Sequence, residues 1–136
     1  TFKDEPLLKE QYINHGDISK GNLLVSNSKE YMIDFDEVCV TTLLYDFAVI
    51  VIKMFVENDK IDFKKYNVLK ACVKEKYTDY SDDDFIKIVE FYLCKILLEK
   101  FYLHLTGKIN LYSERQLKDD YRKYLVLLEN LNKYKI

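Results

Sequence analysis

Residues that interrupt helices are scarce in this sequence. Three glycines and one proline occur among 136 residues, and this favours long helices joined by short connections. Apolar residues make up 49% of the chain, too many for an intrinsically disordered protein. The length is sufficient for a domain with its own core. We therefore expect residues 1–136 to form a single, mainly α-helical domain.

The exception to the helical pattern is a pair of short apolar runs near the start of the chain. Residues 22–26 and 30–34 are of strand type, and the intervening residues 26–29, Ser-Asn-Ser-Lys, are typical of a turn. This arrangement predicts a small β-hairpin. Because the two open ends of a hairpin meet, we expect Asn22 and Asp34 to be spatial neighbours.

Four helices are predicted after the hairpin. Residues 45–57 are apolar nearly all round, which is typical of a buried central helix. Further helices are predicted over residues 63–77, 82–106 and 113–133. The apolar stripe of the last helix is predicted to consist of Leu117, Tyr121, Tyr124, Leu125, Leu128 and Leu131.

Capping residues mark the ends of the two longest helices. Ser81 precedes three acids and predicts an N-cap, and Gly107 predicts the end of the same helix. Ser113 and Gln116 have the spacing of a capping box for the last helix. These signals place the helix boundaries more firmly than periodicity alone.

Charge and cysteine content exclude several classes of protein. The net charge is −2 with both signs interspersed, so no basic field indicates a nucleic acid or a membrane surface as partner. No apolar run reaches the roughly 18 residues that a membrane span requires. Cys39, Cys72 and Cys94 form neither a CxxC pair nor a zinc spacing. We expect them to be buried, reduced thiols of a cytoplasmic protein.

Two short segments hold the residues most suited to chemistry. Residues 15–22 read His-Gly-Asp-Ile-Ser-Lys-Gly-Asn, and residues 34–36 read Asp-Phe-Asp. Phosphoryl transfer from ATP uses one carboxylate to orient the attacking hydroxyl, and an asparagine and a second carboxylate to hold magnesium. Asp17 is our candidate for the first role, and Asn22 and Asp34 are our candidates for metal ligands.

Four further residues are candidates for supporting roles. Asp36 either assists Asp34 at the metal or caps its own loop. His15 is expected to donate its ring N–H to backbone carbonyls and to shape the loop. Lys20 either lies near the transferred phosphate or is simply solvated. Asp46 is placed to accept hydrogen bonds from the backbone of the catalytic loop, although an ordinary acid at a helix N-terminus is the alternative.

In combination, these motifs resemble the aminoglycoside phosphotransferase and choline kinase superfamily over residues 15–53. The family pattern is H-G-D-x-x-x-x-N, an apolar strand pair, I-D-F/W and then a D-L-A-like triplet that opens a helix. This chain has His-Gly-Asp and Asn22 in residues 15–22, Ile-Asp-Phe-Asp at 33–36 and Asp-Phe-Ala at 46–48. The variant looks most like bacterial choline-kinase-like and spore-coat-associated kinase-like members.

The resemblance implies the C-terminal lobe of a protein-kinase-like fold. Residues 12–46 would hold the catalytic loop, the hairpin and the metal-binding loop, and residues 45–136 would form a helical subdomain. Asp17 would be the catalytic base, with Asn22, Asp34 and Asp36 near the metal and with ATP and Mg²⁺ as cofactors.

The acceptor implied by the resemblance is a hydroxyl of a small molecule such as choline, an aminoglycoside, another amino-alcohol or a sugar. The helices after Asp46 would form the floor of its pocket. Acids of these helices could steer a cationic acceptor. They are Asp82, Asp83, Asp84, Glu90 and Glu99, although the run at 82–84 is more typical of a helix start than of a pocket wall.

Two departures from the family pattern affect these expectations. Many members have His-Pro where this chain has Ser19 and Lys20, so the loop shape and the acceptor are expected to differ. Only fourteen residues precede His15, too few for a Gly-rich phosphate loop and a strand lysine with its helix glutamate. We therefore expect the N-lobe to be absent from this chain and the isolated chain to be inactive.

Other hypotheses about the function remain open. A non-catalytic kinase-like structural or scaffolding protein would retain the fold without the reaction, and a helical binding module would match the motifs by chance. A protein kinase fits less well, because the chain lacks His-Arg-Asp, Asp-Phe-Gly and Ala-Pro-Glu elements.

Overall fold

The computed structural model describes residues 11–107 and 113–135, and within them helices predominate, as predicted. The strands are short and the helices long. In chain order the elements are β1 (Tyr12–Asn14), β2 (Leu23–Ser26), β3 (Lys29–Met32), β4 (Cys39–Thr41), α1 (Tyr45–Met54), β5 (Val56–Glu57), β6 (Lys60–Ile61), α2 (Phe63–Lys76), α3 (Asp82–Thr106) and α4 (Glu114–Lys135).

Helix α1 forms the centre of the hydrophobic core, as its apolar sequence predicts. Ala48, Val49 and Val51 are fully buried. The ring of Phe47 meets that of Phe85 from α3 edge to face, with centroids 4.9 Å apart, and such aromatic pairs stabilise beyond the area that they bury. Because α1 packs on α3, which packs on α4, the start of α1 has a fixed position.

The predicted hairpin is confirmed. Strands β2 and β3 pair antiparallel, with Leu23 opposite Met32 and Ser26 opposite Lys29. The two turn residues, Asn27 and Ser28, have φ angles of 50° and 61°. Positive φ at both central positions is the mark of a type I′ turn, whose twist matches that of the strands. The backbone N–H of Ile33, just past β3, donates to the carbonyl oxygen of Asn22 at 3.0 Å.

Two further strand pairs were not predicted. Strand β1 pairs antiparallel with β4, across a long separation in sequence. Strands β5 and β6 form a second small hairpin whose turn residues Asn58 and Asp59 also have positive φ. This hairpin ends α1 at Met54, three residues before the predicted end, and the Asn-Asp pair is the sequence signal that could have revealed it.

The predicted helix caps are confirmed. The Ser81 hydroxyl accepts from the backbone N–H of Asp84 at 3.2 Å, and the Asp84 carboxylate accepts from the Ser81 N–H at 2.7 Å. Gly107 adopts the left-handed conformation, with φ of 62°. Ser113 and Gln116 form the reciprocal pair of hydrogen bonds of a capping box, at 2.7 and 3.2 Å.

The predicted burial was wrong at several side chains. In α4, Tyr121 and Leu125 are exposed, whereas Leu127, absent from the predicted stripe, is fully buried. The contact face of α4 is therefore rotated from the predicted stripe. Cys72 and Cys94 are exposed and Cys39 is half-buried, because the first two lie on helix faces directed at solvent. In the described part of the chain, no helix has the length and apolarity needed to cross a membrane.

Replacement of Leu127 by Ala tests the orientation of α4. Leu127 is fully buried, whereas Leu125 is 41% exposed. We expect Leu127→Ala to lower the free energy of unfolding by about 2–5 kcal/mol, because it removes buried methyl groups and leaves a cavity. Leu125→Ala, the matched control on the same helix, should cost less than about 1 kcal/mol. Urea denaturation measures both, and equal losses would contradict this orientation.

Candidate active site

The loop that carries Asp17 is held by a carboxylate from the central helix. Asp46 lies in the first turn of α1. Its two carboxylate oxygens accept hydrogen bonds from the backbone N–H groups of His15 and Gly16, each at 2.8 Å. Hydrogen bonds to an ionised carboxylate are stronger than those between neutral groups. The hydrogen bonds predicted for Asp46 are thus present, and they join the loop to the core.

The imidazole of His15 links the Asp17 loop to the segment after the hairpin. Its Nδ1 accepts a hydrogen bond from the backbone N–H of Asp17 at 3.3 Å. The neutral ring therefore holds its proton on Nε2, which donates to the carbonyl oxygen of Ile33 at 3.0 Å. The buried ring also packs against Phe35, with centroids 4.7 Å apart. The donation to a backbone carbonyl agrees with the sequence-based prediction for His15.

Gly16 brings the same two segments into direct contact. Its φ is +82°, and a Cβ at this position would lie 2.1 Å from the carbonyl oxygen of Glu37. Only glycine combines this backbone conformation with so close an approach. The turn over residues 34–38 therefore rests against the backbone immediately before Asp17.

Asn22 fixes the carboxylate of Asp17. Its Nδ2 donates to the backbone carbonyl oxygen of Asp17 at 2.9 Å and to the carboxylate Oδ2 at 3.0 Å. A 3₁₀ turn over Lys20–Asn22 gives the chain the bend that this contact needs. Since the amide nitrogen faces Asp17, the amide oxygen is the atom left to bind a cation.

Asp34 is positioned by its neighbours in the sequence. On one side Ile33 is tied by backbone hydrogen bonds to Asn22 and to the ring of His15, and on the other Phe35 packs on that ring. The predicted proximity of Asn22 and Asp34 is thus confirmed at the backbone. Asp34 itself has a φ of 64°, a left-handed conformation that costs a non-glycine residue on the order of 1 kcal/mol.

The site offers oxygen atoms of the kind that magnesium binds. Asn22 offers an amide oxygen, and Asp34 and Asp36 offer exposed carboxylates on one turn. Proteins usually hold Mg²⁺ through one or two carboxylates together with substrate phosphates and water. In residues 11–107 and 113–135, no three His, Cys, Asp or Glu side chains converge on a point that could hold a metal. The ion would therefore need ligands besides these carboxylates.

The sequence patterns did not identify Lys53, whose ammonium forms an ion pair with Oδ1 of Asp17. Lys53 lies in the last turn of α1. Its separation from Asp46 is seven residues, or two helical turns, which places both on one face of the helix. That separation is the signal that could have revealed it. Lys20, by contrast, is exposed, and no described ion pair joins it to Asp17.

A cleft of about 470 Å³ opens beside Asp17. Its walls come from α1, α3 and α4, and its volume falls in the range of small-molecule sites. Three tyrosines line it, Tyr45, Tyr92 and Tyr124. Burial raises the pKa of all three phenols above the ordinary value, so they stay neutral near pH 7 and serve as hydroxyl groups. The position agrees with an acceptor pocket in the helices after Asp46.

The acids suggested for cation steering are mostly elsewhere. Only Glu99 lines the cleft, and it forms an ion pair with Lys95 at 2.5 Å. The other four bind partners outside the cleft, and the acids at 82–84 begin α3, as their position after Ser81 predicts. The pairs are Asp82 with Lys70 and Lys74, Asp83 with Lys87, Asp84 with Ser81, and Glu90 with Lys135.

The close contact at Gly16 gives a testable prediction. We expect Gly16→Ala to lower the free energy of unfolding by about 1–3 kcal/mol, because the new Cβ would displace the Glu37 carbonyl and strain the backbone. Gly21→Ala is the matched control, since the nearest atom to its new Cβ is the Ser19 hydroxyl oxygen at 3.9 Å. Chemical denaturation compares the two variants. A fully stable Gly16→Ala protein would contradict the described packing.

Removal of the Asp46 carboxylate should release the loop. In Asp46→Ala the backbone N–H groups of His15 and Gly16 lose their acceptor, at a cost of about 1–3 kcal/mol. Hydrogen exchange measured by NMR should show faster exchange of these two amides. Asp36→Ala removes a carboxylate of the neighbouring turn and should leave both rates unchanged. Equal acceleration in the two variants would show that Asp46 has no special role.

Comparison with known proteins supports the resemblance drawn from the motifs. A sequence model described as the phosphotransferase enzyme family matches residues 3–73, a stretch that includes the Asp17 loop, the hairpin, α1 and most of α2. No curated protein and no solved structure matches the chain significantly. The match covers more than half of the chain and extends through all the predicted site residues, and the chain therefore belongs to the phosphotransferase enzyme family.

Proposed function

We propose that this chain provides the catalytic loop and the metal-binding residues of an ATP- and magnesium-dependent phosphotransferase, with a hydroxyl of a small molecule as acceptor. The observation that carries the proposal is the direct contact between Asn22 and Asp17, whose nitrogen-to-oxygen distance is 3.0 Å. This contact holds the carboxylate of Asp17 at the cleft and leaves the amide oxygen of Asn22 directed away from that carboxylate. Phosphoryl transfer needs both groups in such an arrangement.

In the proposed reaction, Asp17 accepts a hydrogen bond from the acceptor hydroxyl and takes its proton. The hydroxyl oxygen forms a bond to the γ-phosphorus of ATP, the bond from that phosphorus to the β–γ bridging oxygen breaks, and ADP leaves. Magnesium, when bound, neutralises charge on the phosphates. Asn22, Asp34 and Asp36 would supply its oxygen ligands, and we propose that the nucleotide lies between this chain and a nucleotide-binding lobe.

Lys53 helps to orient Asp17 in this proposal. Its ammonium lies at Oδ1 of Asp17, whereas Asn22 binds Oδ2. The two partners hold the carboxylate by both oxygens, so its orientation toward the cleft is set before the acceptor arrives. Such preorganisation accelerates reactions whose catalysis depends mainly on positioning. His15 and Asp46 position the backbone of the loop and do not touch the reacting atoms.

The motif variant supports a place near bacterial choline-kinase-like and spore-coat-associated kinase-like members of the superfamily. A non-catalytic kinase-like scaffold is the alternative. An intact set of Asp17, Asn22 and Asp34 favours the enzyme, because a scaffold has no chemical need for all three.

Magnesium-dependent ATP turnover tests the proposal. The assay uses the longest polypeptide that contains this sequence, with choline, ethanolamine, an aminoglycoside, homoserine, simple sugars and anionic alcohols as acceptors. We expect ADP release that depends on one acceptor class and falls at least about 10²-fold in Asp17→Asn. Asp79→Asn, an exposed acid between α2 and α3, is the control and should retain full activity.

A second measurement on the chain itself separates a catalytic fragment from a scaffold. Mn²⁺ prefers the same oxygen ligands as Mg²⁺ and broadens NMR signals of nearby nuclei. In the presence of ATP it should broaden the amide signals of Asn22 and Asp34, and the effect should be weaker in Asp34→Asn. Absence of both turnover and broadening would favour the scaffold.

A further inference from the structure

The distribution of charge in the cleft bears on the kind of acceptor that it takes. Four lysines line the cleft, Lys53, Lys95, Lys100 and Lys123, against three acids, Asp17, Glu37 and Glu99. Asp17 and Glu99 are paired with lysines of the same cleft. The walls formed by α3 and α4 contain three of the lysines and only one of the acids.

Lys123 differs from the other three lysines. Lys53 pairs with Asp17, Lys95 with Glu99 and Lys100 with Asp120 at 2.7 Å. Within residues 11–107 and 113–135 none of the ion pairs involves Lys123, although it lines the cleft. The ammonium of this exposed lysine is therefore a positive charge of the cleft that no carboxylate of the described residues neutralises.

Lys95 and Lys100, the two cleft lysines of α3, are also charged. Burial alone would lower the pKa of Lys95 and Lys100, but hydrogen bonds and nearby negative partners outweigh burial and raise it. Both lysines thus stay protonated near pH 7. The hydroxyl of Tyr124 adds a neutral donor on α4, because burial raises its pKa as well.

On the walls formed by α3 and α4, the ring of Tyr124 and the carboxylate of Glu99 already have lysine partners. A quaternary ammonium group is usually bound by the faces of aromatic rings, yet the ammonium of Lys100 already lies 5.7 Å from the ring centroid of Tyr124. Glu99 is engaged by Lys95. Glu37, the remaining acid, is exposed and belongs to the turn that packs on Gly16, at the Asp17 end of the cleft.

From these observations we infer that the acceptor is an alcohol that bears an anionic group, a carboxylate or a phosphate. Its hydroxyl lies at Asp17, and its anionic group lies against Lys123 and the hydroxyl of Tyr124 on α4. This inference rests on the proposed function for the role of the bound molecule as acceptor. The binding of the anion itself depends only on the cleft.

Binding of glycerol 3-phosphate to the chain, without ATP, tests the inference. Glycerol and choline serve as neutral and cationic probes. We expect glycerol 3-phosphate to shift the NMR signals of residues 123 and 124, with an affinity that falls as salt is added, and we expect glycerol and choline to leave them in place. Lys123→Glu should weaken this binding by roughly tenfold or more.

Lys133→Glu provides the matched control. It makes the same charge change on an exposed position of the same helix, outside the cleft, and it should leave the affinity unchanged. Equal losses in the two variants would show a non-specific effect of net charge and would overturn the inference. The inference would also be overturned if choline bound more tightly than glycerol 3-phosphate.

Turnover separates this inference from the proposed function. Phosphorylation of choline or an aminoglycoside, with no activity on anionic alcohols such as glycerate and glycerol 3-phosphate, would support the proposed function and contradict the anionic acceptor. Binding of glycerol 3-phosphate that requires Lys123, in a protein without ATP turnover, would support the anion site and contradict the proposed function.

Discussion

The contact between Asp46 and two backbone N–H groups is the interaction on which the rest of the site depends. The carboxylate is fixed because α1 is buried among α2, α3 and α4. It in turn fixes His15 and Gly16, and through them Asp17 and the turn that holds Asp34. The hydrophobic core thus determines the geometry of a polar site at its edge. Few of the site's own contacts are apolar, and most of its order comes from hydrogen bonds to backbone groups.

Local signals in the sequence were sufficient for the parts of the fold that are close in the chain. The hairpin and the helix caps each join residues no more than about ten positions apart, and each follows from the chemistry of one or two side chains. The association of Asp46 with the Asp17 loop is a longer contact. It was predictable because Asp46 lies at the start of a helix whose apolar sequence indicates that it is buried, and this places the carboxylate near the loop.

The parts that could not be predicted depend on packing between distant segments. The pairing of β1 with β4 and the ion pair of Lys53 with Asp17 join residues about thirty positions apart. The spacing of Lys53 from Asp46 indicates only the helix face on which this lysine lies. The choice between Leu125 and Leu127 depends on how α4 is rotated against α3, which a wide apolar stripe does not determine. The charge balance of the cleft likewise depends on which acid pairs with which lysine, and the pairs of Lys53 and Lys100 join side chains from different segments.

Helix α1 joins the loop at both of its ends. Asp46 in its first turn holds the backbone before Asp17, and Lys53 in its last turn holds the side chain of Asp17. A small rotation of α1 would move Asp46 and Lys53 together, in one direction. The stability of the fold and the alignment of Asp17 therefore have a common origin in the packing of α1. Substitutions of core residues such as Phe47 or Val51 would therefore be restricted during evolution by the position that Asp17 requires, even without contact between these residues and Asp17.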